Sequence, residues 1–93
     1  MRTHYRARWI SKPRADAIRK SVHLSGAMLL DSFNGIILVE PAGANLGDGE
    51  IMSSQQADYE IQMVWCLESP PRIHEARRLL GLEAGVGAKS MAG

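Results

Sequence analysis

AMLLDSFNGIILVE, residues 27–40, sets two apolar runs on either side of Asn34-Gly35. Asn-Gly is the strongest short-range hairpin signal, because both central residues of a type I′ turn need positive φ and these two adopt it at least cost. The stretch therefore predicts a tight hairpin with Phe33 opposite Ile36, Ser32 opposite Ile37, Asp31 opposite Leu38, Leu30 opposite Val39 and Leu29 opposite Glu40. One side of it carries Met28, Leu30, Ile37 and Val39. The other carries Leu29, Asp31, Phe33, Ile36, Leu38 and Glu40.

Upstream, residues 3–10, THYRARWI, alternate as a half-buried strand does: Thr3, Tyr5, Ala7 and Trp9 on one side, His4, Arg6, Arg8 and Ile10 on the other. Ser11 and Pro13 then open a helix from about Pro13 to Leu24. Ala15, Ile18 and Val22 form its apolar stripe and Gly26 its stop.

Downstream, PAGANLGDGEIMSSQQ (41–56) reads as a long polar loop, with a helical turn or two within residues 51–57. DYEIQMVWCLE (58–68) alternates, with Tyr59, Ile61, Met63, Trp65 and Leu67 on one face, and predicts a fourth strand. Ser69-Pro70-Pro71 opens a second helix lined by Ile73, Ala76 and Leu80 and stopped at Gly81-Leu82. Residues 1–82 form one domain on this reading, and 83–93 a flexible tail.

These elements predict an α+β two-layer sandwich: a four-stranded, mainly antiparallel sheet with two helices on one face, either ferredoxin-like or in the order βαβββα. A buried carboxylate without a partner costs several kcal/mol, so the hairpin side with Asp31 and Glu40 is expected to be the open one. That open face brings Leu29, Phe33, Ile36, Leu38 and Val64 together with Arg6 and Arg8. A surplus of large apolar groups there points to a protein partner or a second copy.

Charge is segregated behind a net +1. Residues 1–24 hold Arg2, Arg6, Arg8, Lys12, Arg14, Arg19 and Lys20 against Asp16 alone, whereas residues 25–68 hold seven acids and no base. Opposite segments of this kind either pair inside the fold or present two faces of opposite sign. Arg6 and Arg8 are in reach of cross-strand pairing with Glu40, Glu60 or Asp31. A nucleic-acid reading rests on Arg14, Arg19, Lys20, Arg72, Arg77 and Arg78 on the helix faces.

The chemistry-bearing residues form no recognisable set. His4, His23 and His74 make no i, i+4 pair, and Cys66 with His74 lacks the further ligands zinc requires, so no metal or other cofactor is expected. GANLGDG (43–49) lacks the Lys-Ser/Thr ending of a phosphate loop. Asp48, Glu50 and Asp58 lack the order of a calcium loop. Cys66 reads as a small hydrophobe, and Trp9 and Trp65 as core anchors.

No apolar run approaches the ~20 residues needed to cross a bilayer, and no secretory leader is evident. With a single cysteine, a cytoplasmic protein without membrane attachment is expected. The leading reading is a small non-enzymatic binding module of the inhibitor or adaptor type, such as phages and mobile elements carry, acting through the open sheet face. The 41–57 loop would be its second contact surface. The alternatives are a nucleic-acid-binding domain and a small-molecule enzyme of the dimeric α+β barrel type, with His4 or His23 as acid-base groups.

Overall fold

The computed structural model describes residues 3–82, apart from the Cys66 side chain; the tail expected at 83–93 lies outside them. The chain runs β1 (Tyr5–Ile10), α1 (Lys12–Ala17), α2 (Arg19–Ser25), β2 (Met28–Ser32), β3 (Gly35–Pro41), α3 (Ser54–Met63), a 3-10 turn (Val64–Cys66) and α4 (Pro70–Leu79). It is a small α+β domain whose sheet has three antiparallel strands in the order β1-β3-β2.

The first helical segment starts where Ser11 accepts a hydrogen bond from the Arg14 amide at 3.3 Å, with a proline in the first turn. It bends at Ile18 and stops at Gly26, whose φ of 77° is the left-handed cap expected there. The last helix begins at Pro70 as expected, although Ser69 caps it through extended backbone geometry without a side-chain bond.

The hairpin forms, in a register displaced by two residues from the one expected. Ser32 pairs with Gly35, Asp31 with Ile36, Leu30 with Ile37, Leu29 with Leu38 and Met28 with Val39. The turn is centred on Phe33-Asn34, and neither residue has positive φ; Gly35, at φ 143°, takes the conformation that disfavours a side chain. Ser32 moves the turn: its hydroxyl accepts from the Asn34 amide at 3.2 Å and donates to the Gly35 carbonyl at 2.9 Å. A slip of two preserves the faces, because side chains alternate with period two.

The fourth strand is absent among the described residues, and 54–63 are helical instead. Ser53 accepts from the Gln56 amide at 3.1 Å, and Ala57, Ile61 and Val64 recur at i, i+4 and i+7, buried to 3%, 0% and 0% exposure. The alternation at 59–67 coexists with this helical stripe. Of its five apolar members only Ile61 is buried, whereas Tyr59, Met63, Trp65 and Leu67 are exposed.

Losing that strand changes the layering. One sheet face, with Ala7, Leu30, Ile37 and Val39, packs beneath α3 and α4 through Ala57, Ile61, Val64, Ile73 and Ala76. The opposite face, with Ile10 and Leu38, packs beneath α1 and α2 through Ala15, Ile18 and Val22. Helices therefore cover both faces, and the expected two-layer sandwich with an open face does not form. The apolar surplus on the Leu38 side is the reason: it is a second core, closed by the first helical segment rather than by a partner.

The chain from 41 to 53 finishes the enclosure. It crosses the sheet on the α1–α2 side and returns along the free edge of β1, where Trp9 N–H donates to Glu50 O at 3.0 Å and Met52 N–H to Ala7 O at 2.8 Å. A single antiparallel bridge, Arg8 to Ile51, marks this edge. Gly49 permits the approach, since a Cβ there would lie 2.4 Å from the Trp9 carbonyl oxygen.

Candidate functional site

Glu40, expected on an open surface, has no exposed area and is the polar centre of the fold. It reaches burial because partners arrive from two directions. Arg6 Nε donates to it at 3.0 Å and Arg8 Nη1 at 3.4 Å from β1, while the Leu46 amide donates at 2.7 Å from the crossing loop. The cross-strand pairing read for Arg6 and Arg8 is thus realised at Glu40, and both guanidiniums continue into the loop. Arg6 donates to Asn45 Oδ1 at 2.7 Å; Arg8 donates to Gly49 O through Nε at 3.1 Å and Nη2 at 2.7 Å.

The rest of the loop is bonded inward too. Arg14 Nε donates to Leu46 O at 2.9 Å, and Asp48 accepts from the Ser11 amide at 2.9 Å and the Ser11 hydroxyl at 2.6 Å. The Ser11 hydroxyl, then its amide, hold the Asp48 carboxyl below its ordinary range. The Gly-rich segment is therefore a strap across the sheet. Its polar groups serve the fold, and the physical case for a second contact surface at 41–57 weakens accordingly.

The helix-face cations are likewise engaged. Arg19 pairs with Asp16 at 3.2 Å, beside Lys12, whose hydrogen bond to Asp16 is the largest cause of that carboxyl's lowered pKa. Arg78 pairs with Glu75 at 2.6 Å and lowers the Glu75 carboxyl pKa. Arg77 is buried against α3 and pairs with Asp58. Arg72 pairs with Glu68 at 3.0 Å and donates to the Leu29 carbonyl. Lys20 is exposed on α2. Of the six cations of the nucleic-acid reading, Arg14, Arg19, Arg72, Arg77 and Arg78 are bonded within the fold, and Arg19 and Arg72 border one recess.

The histidines stay apart. His4 borders a cavity of about 600 Å³ at the end of α4, His23 lines one of about 220 Å³ between α2 and β2, and His74 meets the Trp65 ring edge-on with centroids 5.5 Å apart. Among the described residues, no three His, Cys, Asp or Glu side chains converge as a metal site would require. No helix among them is long and apolar enough to cross a membrane.

The seven residues expected to form one interface are dispersed. Leu38 lies in the core under α1–α2, and Val64 in the core under α3–α4, both with no exposed area. Leu29 and Ile36 are half-buried against the Leu38 core, Arg6 and Arg8 are bound to Glu40, and Phe33 alone stands exposed, at the hairpin tip.

A different apolar surface takes their place. Among the described residues the large hydrophobics left exposed are Leu24, Phe33, Ile51, Tyr59, Met63, Trp65 and Leu67, and all but Leu24 and Ile51 lie on α3, on the 3-10 turn and the residue that follows it, or at the hairpin tip. Tyr59 and Met63 are one helical turn apart on the outer side of α3. The hairpin tip is held against this helix by Asn34 Nδ2, which donates to Glu60 Oε1 at 3.2 Å. The exposed positions of α3 are Ser54, Gln55, Gln56, Tyr59, Gln62 and Met63, none of them charged; the partly exposed Asp58 that borders them is paired with Arg77 and accepts from Gln62. Solvated helices ordinarily present Lys, Arg, Glu or Asp on such a face.

Alternation misplaced these residues, putting Tyr59, Met63, Trp65 and Leu67 in the core. The signal that finds them is the Ser53-x-x-Gln56 cap followed by the 57/61/64 spacing, which turns 59 and 63 outward. No protein-family model, curated protein or solved structure matches the chain.

Proposed function

We propose that the chain is a protein-binding module, of the inhibitor or adaptor type, whose contact surface is the outer side of α3 together with the 3-10 turn and the hairpin tip. The observation that supports this is the charge-free, aromatic- and Met-bearing outer row of α3, continued by Leu67 and flanked by Phe33. Buried interface centres are depleted of charge and enriched in Tyr, Trp, Phe and Met, the side chains gathered here. A patch of this kind on a small domain is a recognition surface more often than a solvated one. The surface differs from the one expected from the sequence, but the class of function is the same.

The test is a pull-down from the source cells with the wild-type chain and with Tyr59→Ser/Met63→Lys. Both positions are exposed, so the variant keeps its unfolding transition. If the reading holds, one protein is retained in stoichiometric amount by wild type, and the variant binds it at least ~30-fold more weakly, as loss of a central anchor does. Retention of the same partner by both chains would refute it. So would an Arg14/Arg19/Arg78 triple alanine variant that loses the partner while the apolar variant keeps it.

A further inference from the structure

The two outer edges of the sheet are sealed by different means. Along β1 the seal is backbone, supplied by residues 50–52. Along β2 it is a pair of side chains. In an antiparallel ladder alternate residues turn their N–H and C=O away from the partner strand, and on β2 these are Leu29 and Asp31. Glu68 Oε2 accepts from the Asp31 amide at 3.2 Å, and Arg72 Nη2 donates to the Leu29 carbonyl. Glu68, just before α4, and Arg72, in its first turn, are themselves paired at 3.0 Å. They occupy the donor and the acceptor that an added strand would use.

We propose that this clip is autoinhibitory: it holds shut a strand-pairing edge, and opening it joins two copies of the chain through antiparallel β2–β2 pairing. The register commits the occupant. With a two-fold axis at Leu30, Leu29 of one copy stands opposite Asp31 of the other, so each pair exchanges two backbone bonds and the two Asp31 carboxylates are not directly opposed. Charge is complementary as well, because Asp31 of the second copy arrives opposite Leu29, beside a recess whose rim carries Arg19 and His23 in addition to Arg72. There is room beside the edge: the recess of about 220 Å³ between α2 and β2, to which α4 contributes Arg72, is lined by Met28 and Leu29 of the edge strand. The clip opens from the Arg72 side: that side chain is 47% exposed, whereas Glu68 is 14% exposed, so solvent competes for the guanidinium first. Unpaired edges associate unless charged side chains block them, which is the role the geometry gives this pair.

The experiment compares the wild-type chain with Glu68→Ala/Arg72→Ala by sedimentation equilibrium and amide hydrogen exchange. The wild type is expected to be monomeric at this edge, with the Leu29 amide open to exchange. The double variant is expected to double in mass and to protect the Leu29 and Asp31 amides at least ten-fold more strongly. A folded, monomeric double variant overturns the proposal, and so does a dimer in which those two amides exchange freely. If the double variant has no cooperative unfolding transition, Arg72→Gln decides, since it frees the Leu29 carbonyl and keeps most of the side-chain stem. A monomeric Arg72→Gln chain then overturns the proposal. Tyr59→Ser/Met63→Lys leaves the outcome unchanged, so the two surfaces are tested independently.

Discussion

Replacing Glu40 with alanine should unfold this protein more readily than any other single loss of a polar group. Its carboxylate has no exposed surface and accepts from Arg6, Arg8 and the Leu46 amide. In Glu40→Ala the Leu46 amide loses its acceptor, and a buried donor left unpaired costs about 1–3 kcal/mol. Two guanidiniums, with side chains 23% and 12% exposed, lose their counter-ion at the same time.

Breaking a buried pair by deleting one partner costs about 3–5 kcal/mol when the survivor is stranded. Here the survivors are only partly stranded, since Arg6 keeps Asn45 and Arg8 keeps Gly49. The lower end, about 3 kcal/mol, is therefore expected. At about 4–8 °C per kcal/mol for a domain of this size, the melting midpoint falls by roughly 12–24 °C. Urea denaturation measures the loss directly, and hydrogen exchange should show the Leu46 amide losing protection first. A cycle with Arg8→Met isolates the pair, for which a coupling of about 1–2 kcal/mol is expected within the usual range for contacting residues. A total loss under about 1 kcal/mol, or no coupling with Arg8, would refute the view that this centre holds the strap to the sheet.

Three further substitutions probe the strap. Gly49→Ala places a Cβ 2.4 Å from the Trp9 carbonyl oxygen and should cost about 1–3 kcal/mol in urea denaturation, whereas Gly43→Ala meets nothing within 4 Å and should be near neutral. Ser11→Ala removes a helix cap and should cost about 1 kcal/mol. It also removes the main donor holding the Asp48 carboxyl down, so an NMR titration should find that pKa raised toward its ordinary 3.8. Because the folded value is depressed, Asp48 contributes stability above the unfolded pKa that is lost as pH falls through the folded one. The wild type should therefore lose more stability than Ser11→Ala on acidification below about pH 4.

What could be read in the sequence were the elements whose evidence is local. The β1 alternation, the Ser11 and Pro13 helix start, the Gly26 stop and the Pro70 start each depend on residues within one turn, and each is where it was expected. The hairpin was legible as a hairpin but not in register, because Ser32 holds the turn one residue earlier through two side-chain bonds. Residues 58–68 carried two periodicities at once, and only tertiary burial of Ala57, Ile61 and Val64 selects the helical one.

The candidate surface was lost with that choice, since a strand would have buried Tyr59 and Met63 and exposed Val64. Glu40 is buried, against expectation, for a separate reason. A carboxylate is excluded from the interior only when unpaired; pairing by Arg6 and Arg8 was legible in β1, whereas the third partner, a loop amide 6 residues away, was not.

The segregation of charge along the chain bears on why the α3 surface stands out. The basic first third and the acidic middle meet inside the fold, Arg6 and Arg8 at Glu40, while Arg72 and Arg77 close on Glu68 and Asp58 from the last helix. Arg6 and Arg8 tie β1 to β3 and the strap, and Arg77 ties α4 to α3; the Arg72–Glu68 pair is local, and it reaches the edge of β2 through the Asp31 amide and the Leu29 carbonyl. Charges committed in this way position the scaffold and leave little to advertise to a ligand. Against that background the outer row of α3 is distinguished by carrying no charge and retaining Tyr59 and Met63 in the open. A scaffold with so many ion pairs fixing its loops and edges can leave that row exposed without depending on it for stability, and this independence lets the row be substituted and tested apart from the fold.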